Sequence, residues 1–137
     1  MRFEENKIIE LEDLTNLYQS VQWTAYTQHP TKMEKILEGS LWWCVCYCDQ
    51  ELAGFIRVVG DGVSIIYVQD ILVNPKFQRQ GIGSKLFEIM LERYADNIRQ
   101  IVLITDNEKR TQKFYTSLGL KSLEETHARA YVHYFEK

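Results

Sequence analysis

The 137-residue sequence predicts an α/β fold, with a mixed, mostly antiparallel central sheet flanked by helices in one domain, residues 1–137. Three observations predict it. Runs rich in β-branched and aromatic residues, Leu41–Tyr47, Leu52–Val59 and Tyr67–Val73, are separated by short turn segments rather than linkers. Residues 82–92 place Ile82, Leu86, Ile89 and Met90 on one helical face, with Lys85, Glu88 and Glu92 off it. The apolar run Ile101-Val102-Leu103-Ile104 then follows, so the strands before and after this helix should lie parallel, joined by a crossover.

Taken in order, Arg2 to Ile9 carries a weak strand signal and suits a short edge strand. Leu11, Leu14, Leu17, Tyr18 and Val21 share one side of a first helix. Gln22 to Pro30 holds Trp23 and Tyr26 without a clear period. Thr31 can cap a helix from Lys32 to Glu38, with Glu34 at its third position and Gly39 ending it. Asp49-Gln50 makes the strands on either side a hairpin, and Gly60-Asp61-Gly62 turns into the central strand, which starts at Ser64-Ile65-Ile66. After the crossover, Arg99–Thr105 is a buried strand, Glu108–Ser117 a helix closed by Gly119, and Arg129–Phe135 a final strand. The order is β-α-α-β-β-β-α-β-α-β.

Composition narrows the function classes. Hydrophobic residues at 45% and charged residues at 26% suit a soluble globular domain. A net charge of −3 gives no basic footprint, which argues against a nucleic-acid partner. No apolar run approaches the ~20 residues that span a bilayer, and the first ten residues lack an apolar signal region, so a cytoplasmic location without membrane contact is expected. Cys44, Cys46 and Cys48 alternate along a strand and point to one face. They lack the knuckle spacing and extra ligands of a zinc site, so no metal is expected and buried reduced thiols are.

The stretch around which the chain is organised is Tyr67 to Tyr94. Its strand carries one charge, Asp70, and stops at Asn74-Pro75, because proline restricts its predecessor and cannot donate to a ladder. Gln78-Arg79-Gln80-Gly81-Ile82-Gly83-Ser84 then opens the long helix. Two glycines at a helix start uncover successive backbone N–H groups, with the positive end of the helix dipole behind them. Such a turn suits a phosphate or pyrophosphate, and it equally suits a plain helix entry. It is neither the dinucleotide fingerprint nor a P-loop.

Gln78-x-x-Gly81-x-Gly83, after a strand ending in Leu72-Val73 and an Asn-Pro turn, resembles the acetyl-CoA signature of the GNAT superfamily of N-acetyltransferases. Phe114-Tyr115-Thr116-Ser117-Leu118-Gly119-Leu120 resembles the family's Phe-Tyr-x-x-Leu-Gly-Phe segment. The resemblance implies a strand–helix–strand acetyl-CoA-binding core, with two parallel strands splayed apart and the cofactor's pantetheine arm between them. It implies acetyl transfer to a primary amine of a small molecule or a protein amino group, without a metal. The rival reading is a non-catalytic module that binds or senses acyl-CoA.

On that reading the phosphates take the N–H groups of Arg79, Gln80, Gly81, Ile82, Gly83 and Ser84, and the backbone of Leu72 and Val73 pairs with the pantetheine amides. The family resemblance assigns Tyr115 the proton that the leaving thiolate needs; the same residue could instead anchor its helix to the sheet. Asp70 is a candidate base or amine-binding carboxylate, and it could instead hold a bulge or pair with Arg57 or Arg129. Its neighbour Gln69 cannot ionise and so cannot be a base. Many members carry an Asn seven residues before the tyrosine; here Glu108 stands there and Asn107 one residue earlier, as a candidate pantetheine contact or helix cap. Trp23 and Tyr26 are candidate substrate-binding aromatics, and they could equally cap the core. One carboxylate at Asp70 hints at a cationic amine, and either a monomer or a homodimer is expected.

Overall fold

The computed structural model describes residues 1–135, in two compact units, residues 1–104 and 105–135. The first unit holds a five-stranded sheet in sequence order: β1 (Arg2–Glu5), β2 (Trp42–Cys48), β3 (Glu51–Gly60), β4 (Ile65–Val73) and β5 (Gln100–Val102). The first four strands pair antiparallel, and β4 and β5 pair parallel. The mostly antiparallel sheet and its single parallel step are as the sequence predicts.

Both sheet faces are covered, which is why β2 and β3 read as nearly continuous apolar runs. On one face lie α1 (Leu11–Ser20), the one-turn α2 (Thr24–Thr27) and α3 (Pro30–Lys35). Leu14, Leu17 and Tyr18 of α1 and Met33 of α3 pack there on Val45, Tyr47, Phe55 and Leu72. The other face carries α4 (Ile82–Tyr94), which buries Ile82, Leu86, Phe87, Met90 and Tyr94. Trp42 of β2 meets the ring of Tyr94 edge-on. Gly54 admits α4 at close range, since a Cβ there would lie 2.7 Å from Ile82 Cγ2. Cys44 and Cys46 are buried and Cys48 is half-buried, all three as free thiols.

Several boundaries differ from expectation. The edge strand stops at Glu5, and α3 begins at Pro30 with His29 before it, so Thr31 lies inside the helix and caps nothing. Proline at the first helical position, where no N–H is needed, outweighs the capping preference of Thr31. Phe87 takes the buried place expected of Ile89, which is half-buried. β5 spans three residues instead of seven, because β4 offers it a partner only over Ile65–Tyr67.

The second unit contains α5 (Lys109–Ser117) and a short 3-10 helix, Leu123–Thr126. The expected final strand over 129–135 does not form. Residues 128–135 have no regular structure, and Tyr131, Tyr134 and Phe135 are at least 74% exposed. Alternation supplied the strand pattern, but no ladder partner satisfies it among the described residues. No helix there or elsewhere among the described residues is long and apolar enough to cross a membrane.

Candidate active site

The site begins as a gap in the sheet. Among the described residues β4 pairs with β5 only through Ile65, Ile66 and Tyr67, so no strand pairs with its β5-facing edge from Val68 to Val73. On its other edge Leu72 and Val73 pair with Phe55 and Gly54 of β3. The strand is held rigidly from one side and leaves backbone donors and acceptors open on the other, the arrangement by which an extended ligand can add itself to a sheet.

Beyond Val73 the chain turns through a 3-10 helix, Pro75–Phe77, whose Asn74 side chain accepts from the Lys76 N–H. Gln78 Nε2 donates to the carbonyl of Val73 at 3.3 Å and ties the loop back to the strand end. Arg79 and Gly81 both adopt the left-handed conformation, at φ +66° and +79°. Alternating hand in a short loop turns successive N–H groups toward one side, forming an anion-binding concavity. α4 starts at Ile82 with Gly81 as its N-cap and no side chain capping it, so the first N–H groups of the helix have no internal acceptor. Gln78, Arg79, Gln80 and Gly81 are exposed, Gly83 and Ser84 half-buried. The side chain of Ile82 faces the core, so only its backbone can serve the loop. The sequence-predicted cofactor residues 72, 73 and 78–84 are thus brought together along one path.

Four residues before Val73, β4 changes character. Its register with β3 shifts between Arg57 and Val58, so that Asp70 faces Arg57, Val68 faces Val58, and Gln69 is the extra residue of a bulge. The bulge turns Gln69 toward the same side as Asp70, the side of α1 and α2, where regular alternation would have sent it to the α4 side. Asp70 Oδ2 accepts from Arg57 Nε at 2.6 Å and from the Tyr18 hydroxyl at 2.8 Å. Both charged residues are about 95% buried. Burial acts to lower Arg57, and the adjacent carboxylate more than offsets it, so the guanidinium stays charged. Burial, and next the Asp70 charge, push the Tyr18 phenol far up, so it remains a donor.

The outer nitrogens of Arg57 make longer contacts: 3.5 Å to the Ile36 carbonyl, 3.4 Å to Ser40 Oγ and 3.5 Å to Tyr26 Oη. Tyr26 Oη also accepts from Gln69 Nε2 at 3.3 Å. Its ring stands edge-on to Tyr18 at 5.4 Å, and Trp23 does the same from the other direction at 6.0 Å. α2 buries no residue of its own, and a single helical turn is unstable alone. It is held by these contacts. The structure therefore joins Trp23, Tyr26 and Asp70 in one cluster. Arg57, Tyr18 and Gln69 complete it; the sequence marks Arg57 as a possible partner of Asp70, Tyr18 only as a helix-face residue and Gln69 only as a residue that cannot be a base. The signal lay in two lone opposite charges on adjacent apolar strands.

In the second unit, Tyr115 is half-buried on α5, edge-on to Phe114 at 5.0 Å. Burial raises its phenol above the ordinary value, opposed by a hydrogen bond with Thr105. Asn107 is exposed ahead of α5, and its Oδ1 and backbone carbonyl both accept from Gln112 Nε2. Asp106 accepts from the Glu108 N–H, while neither Asp106 nor Asn107 is the N-cap, which is Glu108.

Two other carboxylates are engaged in the frame: Asp61 accepts three backbone N–H groups and the Ser64 hydroxyl across its turn, which hold it well below the usual range, and Glu51 pairs with Lys76. Among the described residues no group of three His, Cys, Asp or Glu side chains could hold a metal ion.

A family profile described as an acetyltransferase (GNAT) domain matches residues 38–121. An acetyltransferase of the GNAT family from Streptococcus pneumoniae TIGR4 superposes with a TM-score of 0.87 at 32% identity, covering 99% of this chain and 98% of that one. An uncharacterized N-acetyltransferase of Gracilaria tenuistipitata var. liui is 31% identical over 121 residues, 83% of this chain; the chain spans 63% of that relative's length. The PaiA N-acetyltransferase from Thermoplasma acidophilum, solved with coenzyme A, shares the fold at a TM-score of 0.69 and 17% identity, over 88% of this chain and 91% of that one.

Proposed function

Because the chain belongs to the GNAT family of acetyltransferases, we propose that it moves an acetyl group from acetyl-CoA directly to a primary amine. One observation carries this reading: the open β4 edge from Val68 to Val73 runs into the left-handed Arg79–Gly81 loop and the uncapped start of α4. That path offers strand-like amide partners followed by an anion cradle, in the order that a pantetheine arm and its pyrophosphate require. The PaiA relative was solved with coenzyme A, which fits the same ligand here.

In this mechanism the loop N–H groups from Arg79 to Ser84 hold the phosphates, with Gln78 fixing the loop to Val73. Leu72 and Val73 orient the pantetheine amides. An N–H on the bulged edge near Gln69 polarises the thioester carbonyl, which strengthens as charge develops on its oxygen in the tetrahedral intermediate. The neutral amine attacks the carbonyl carbon; the intermediate collapses, the C–S bond breaks, and the amine nitrogen loses its proton to water. Tyr115 donates a proton to the departing thiolate and regains one from solvent water, a role supported by a phenol that burial raises above its ordinary range. Asp70 serves on this reading as the anchor of Arg57 and Tyr18, since one of its oxygens already receives both donors.

The test is purified protein with acetyl-CoA and a panel of amines, following release of the coenzyme A thiol. Turnover is expected, and Tyr115→Phe should lower kcat about 100-fold with acetyl-CoA affinity unchanged. Tight acetyl-CoA binding without transfer to any amine would instead identify an acyl-CoA-binding module.

A further inference from the structure

Building on the transferase reading, the nature of the acceptor follows from the charges and hydrogen bonds around the β4 bulge. An amine must be neutral to attack, yet most alkyl amines are ammonium ions near pH 7. A pocket lined by an unpaired carboxylate stabilises the ammonium form and suits a strongly basic or polycationic acceptor. Here the buried carboxylate, Asp70, lies 2.6 Å from a buried guanidinium, so the pair presents no net charge. The other groups hydrogen-bonded into this cluster are uncharged: the Tyr18 and Tyr26 hydroxyls, the Ser40 hydroxyl, the Ile36 carbonyl and the Gln69 amide.

Gln69 is the member of this set that is exposed, at the extra position of the bulge. A pantetheine arm running back from the loop past Val73 and Leu72 brings its acyl end to this part of β4, about 13 Å from Val73 along the strand. The Gln69 amide lies with Nε2 toward the Tyr26 hydroxyl, at 3.3 Å. Arg57 can only donate, so Tyr26 Oη accepts from it, and Oη also accepts from Gln69 Nε2. That leaves Gln69 Oε1, a neutral acceptor, without a donor among the described residues.

We infer that the Gln69 amide oxygen accepts an N–H of the attacking amine, and that the enzyme therefore takes weakly basic primary amines, of the kind an α-amino group beside a carbonyl provides, in preference to polyamines and lysine side chains. A neutral amide oxygen favours RNH3⁺ far less than a carboxylate would, and the uncharged, partly buried hydroxyls and carbonyl of the cluster offer the ion no counter-charge. The acceptor must then arrive neutral from solution. At pH 7.5 about a third of a typical α-amino group is neutral, against about one in a thousand alkyl amines of lysine type. This reverses the hint of a cationic substrate that Asp70 gives in the sequence.

The experiment compares alanine amide, Nα-acetyl-lysine amide and spermidine as acceptors at pH 7.5, with acetyl-CoA affinity measured separately by calorimetry. The expected result is a kcat/KM at least about 10-fold higher for alanine amide than for the other two. Gln69→Leu should raise the KM of alanine amide about 10-fold, and Gln69→Glu should lower the KM of spermidine and shrink or invert the preference, both with unchanged acetyl-CoA affinity and melting temperature. Equal or better use of spermidine or the lysine derivative by the unaltered enzyme overturns the inference, as does a ranking that neither variant changes. Acetyl-CoA binding with transfer to none of the three overturns the transferase reading and this inference together, and transfer with the wrong ranking overturns the inference alone.

Discussion

At its C-terminal end β4 runs into a loop whose working parts are backbone: two left-handed residues, a chain of open N–H groups and a helix start with no side-chain cap. Four residues earlier the same strand works through side chains, a bulge that presents Gln69 and a buried Arg57–Asp70–Tyr18 cluster tied to Tyr26. The first region's own hydrogen bonds are short-range, from Gln78 to the Val73 carbonyl and from the Lys85 N–H to the Gly81 carbonyl. The second joins residues 13 to 52 positions apart. A backbone site depends on conformation and tolerates changes in side chain, whereas a side-chain network fails when one partner goes.

The largest test of that contrast is Arg57→Met. Asp70 would be left buried and unpaired, and stability should fall by about 3–5 kcal/mol, seen in denaturant titration. The double variant Arg57→Met, Asp70→Leu should recover most of the loss; equal loss in both would show that the two charges are not coupled.

At the loop the sensitivity is to ligand rather than fold. A Cβ at Gly81 meets nothing within 4 Å, and Asp and Asn tolerate the left-handed region better than most residues. Gly81→Asp should therefore fold and lose about 100-fold in acetyl-CoA affinity through charge against the pyrophosphate. Gly81→Asn, with the same shape and no charge, should lose far less. Similar losses in both variants would place the effect in the backbone.

Alkaline pH probes the buried groups together. Burial pushes the Cys44 thiol up to about 12 and Cys46 to about 11, and raises Tyr18 further. Each folded-state value lies above its unfolded value, so the native chain holds these protons more tightly. Stability is then flat below about pH 8.5 and falls as pH rises through 9–12, each group adding a slope of up to about 1.4 kcal/mol per pH unit. Cys44→Ala should flatten the curve in melts run from pH 8 to 11. A smaller effect belongs to the exposed pair Lys76–Glu51 beside the loop: Lys76→Ala should change stability by no more than about 0.5 kcal/mol and lose what little it contributes in salt.

The same division governs what could be read from the sequence. Gln78, Gly81 and Gly83 announce the loop because backbone hand and open N–H groups need glycine nearby, and the strand before them shows its period directly. The bulge and its buried cluster gave only their members. Trp23, Tyr26 and Asp70 were visible as residue types, but the bulge that turns Gln69 beside Asp70 depends on register, which no local pattern encodes. Thr31 and the 129–135 segment mark the converse, where a good local signal met no partner: Pro30 took the helix start, and no strand took the alternating tail.

The three cysteines have a practical bearing on measurements with this protein. Cys44 and Cys46 lie inside the sheet and hold their protons tightly, and only Cys48 is half-open to solvent. Native protein should titrate with a chromogenic disulfide as one slow thiol per chain, and unfolded protein as three. Thiol stoichiometry thus becomes a clock for global opening, and the same reagent that reports product in an acetylation assay also reports when a variant has come apart.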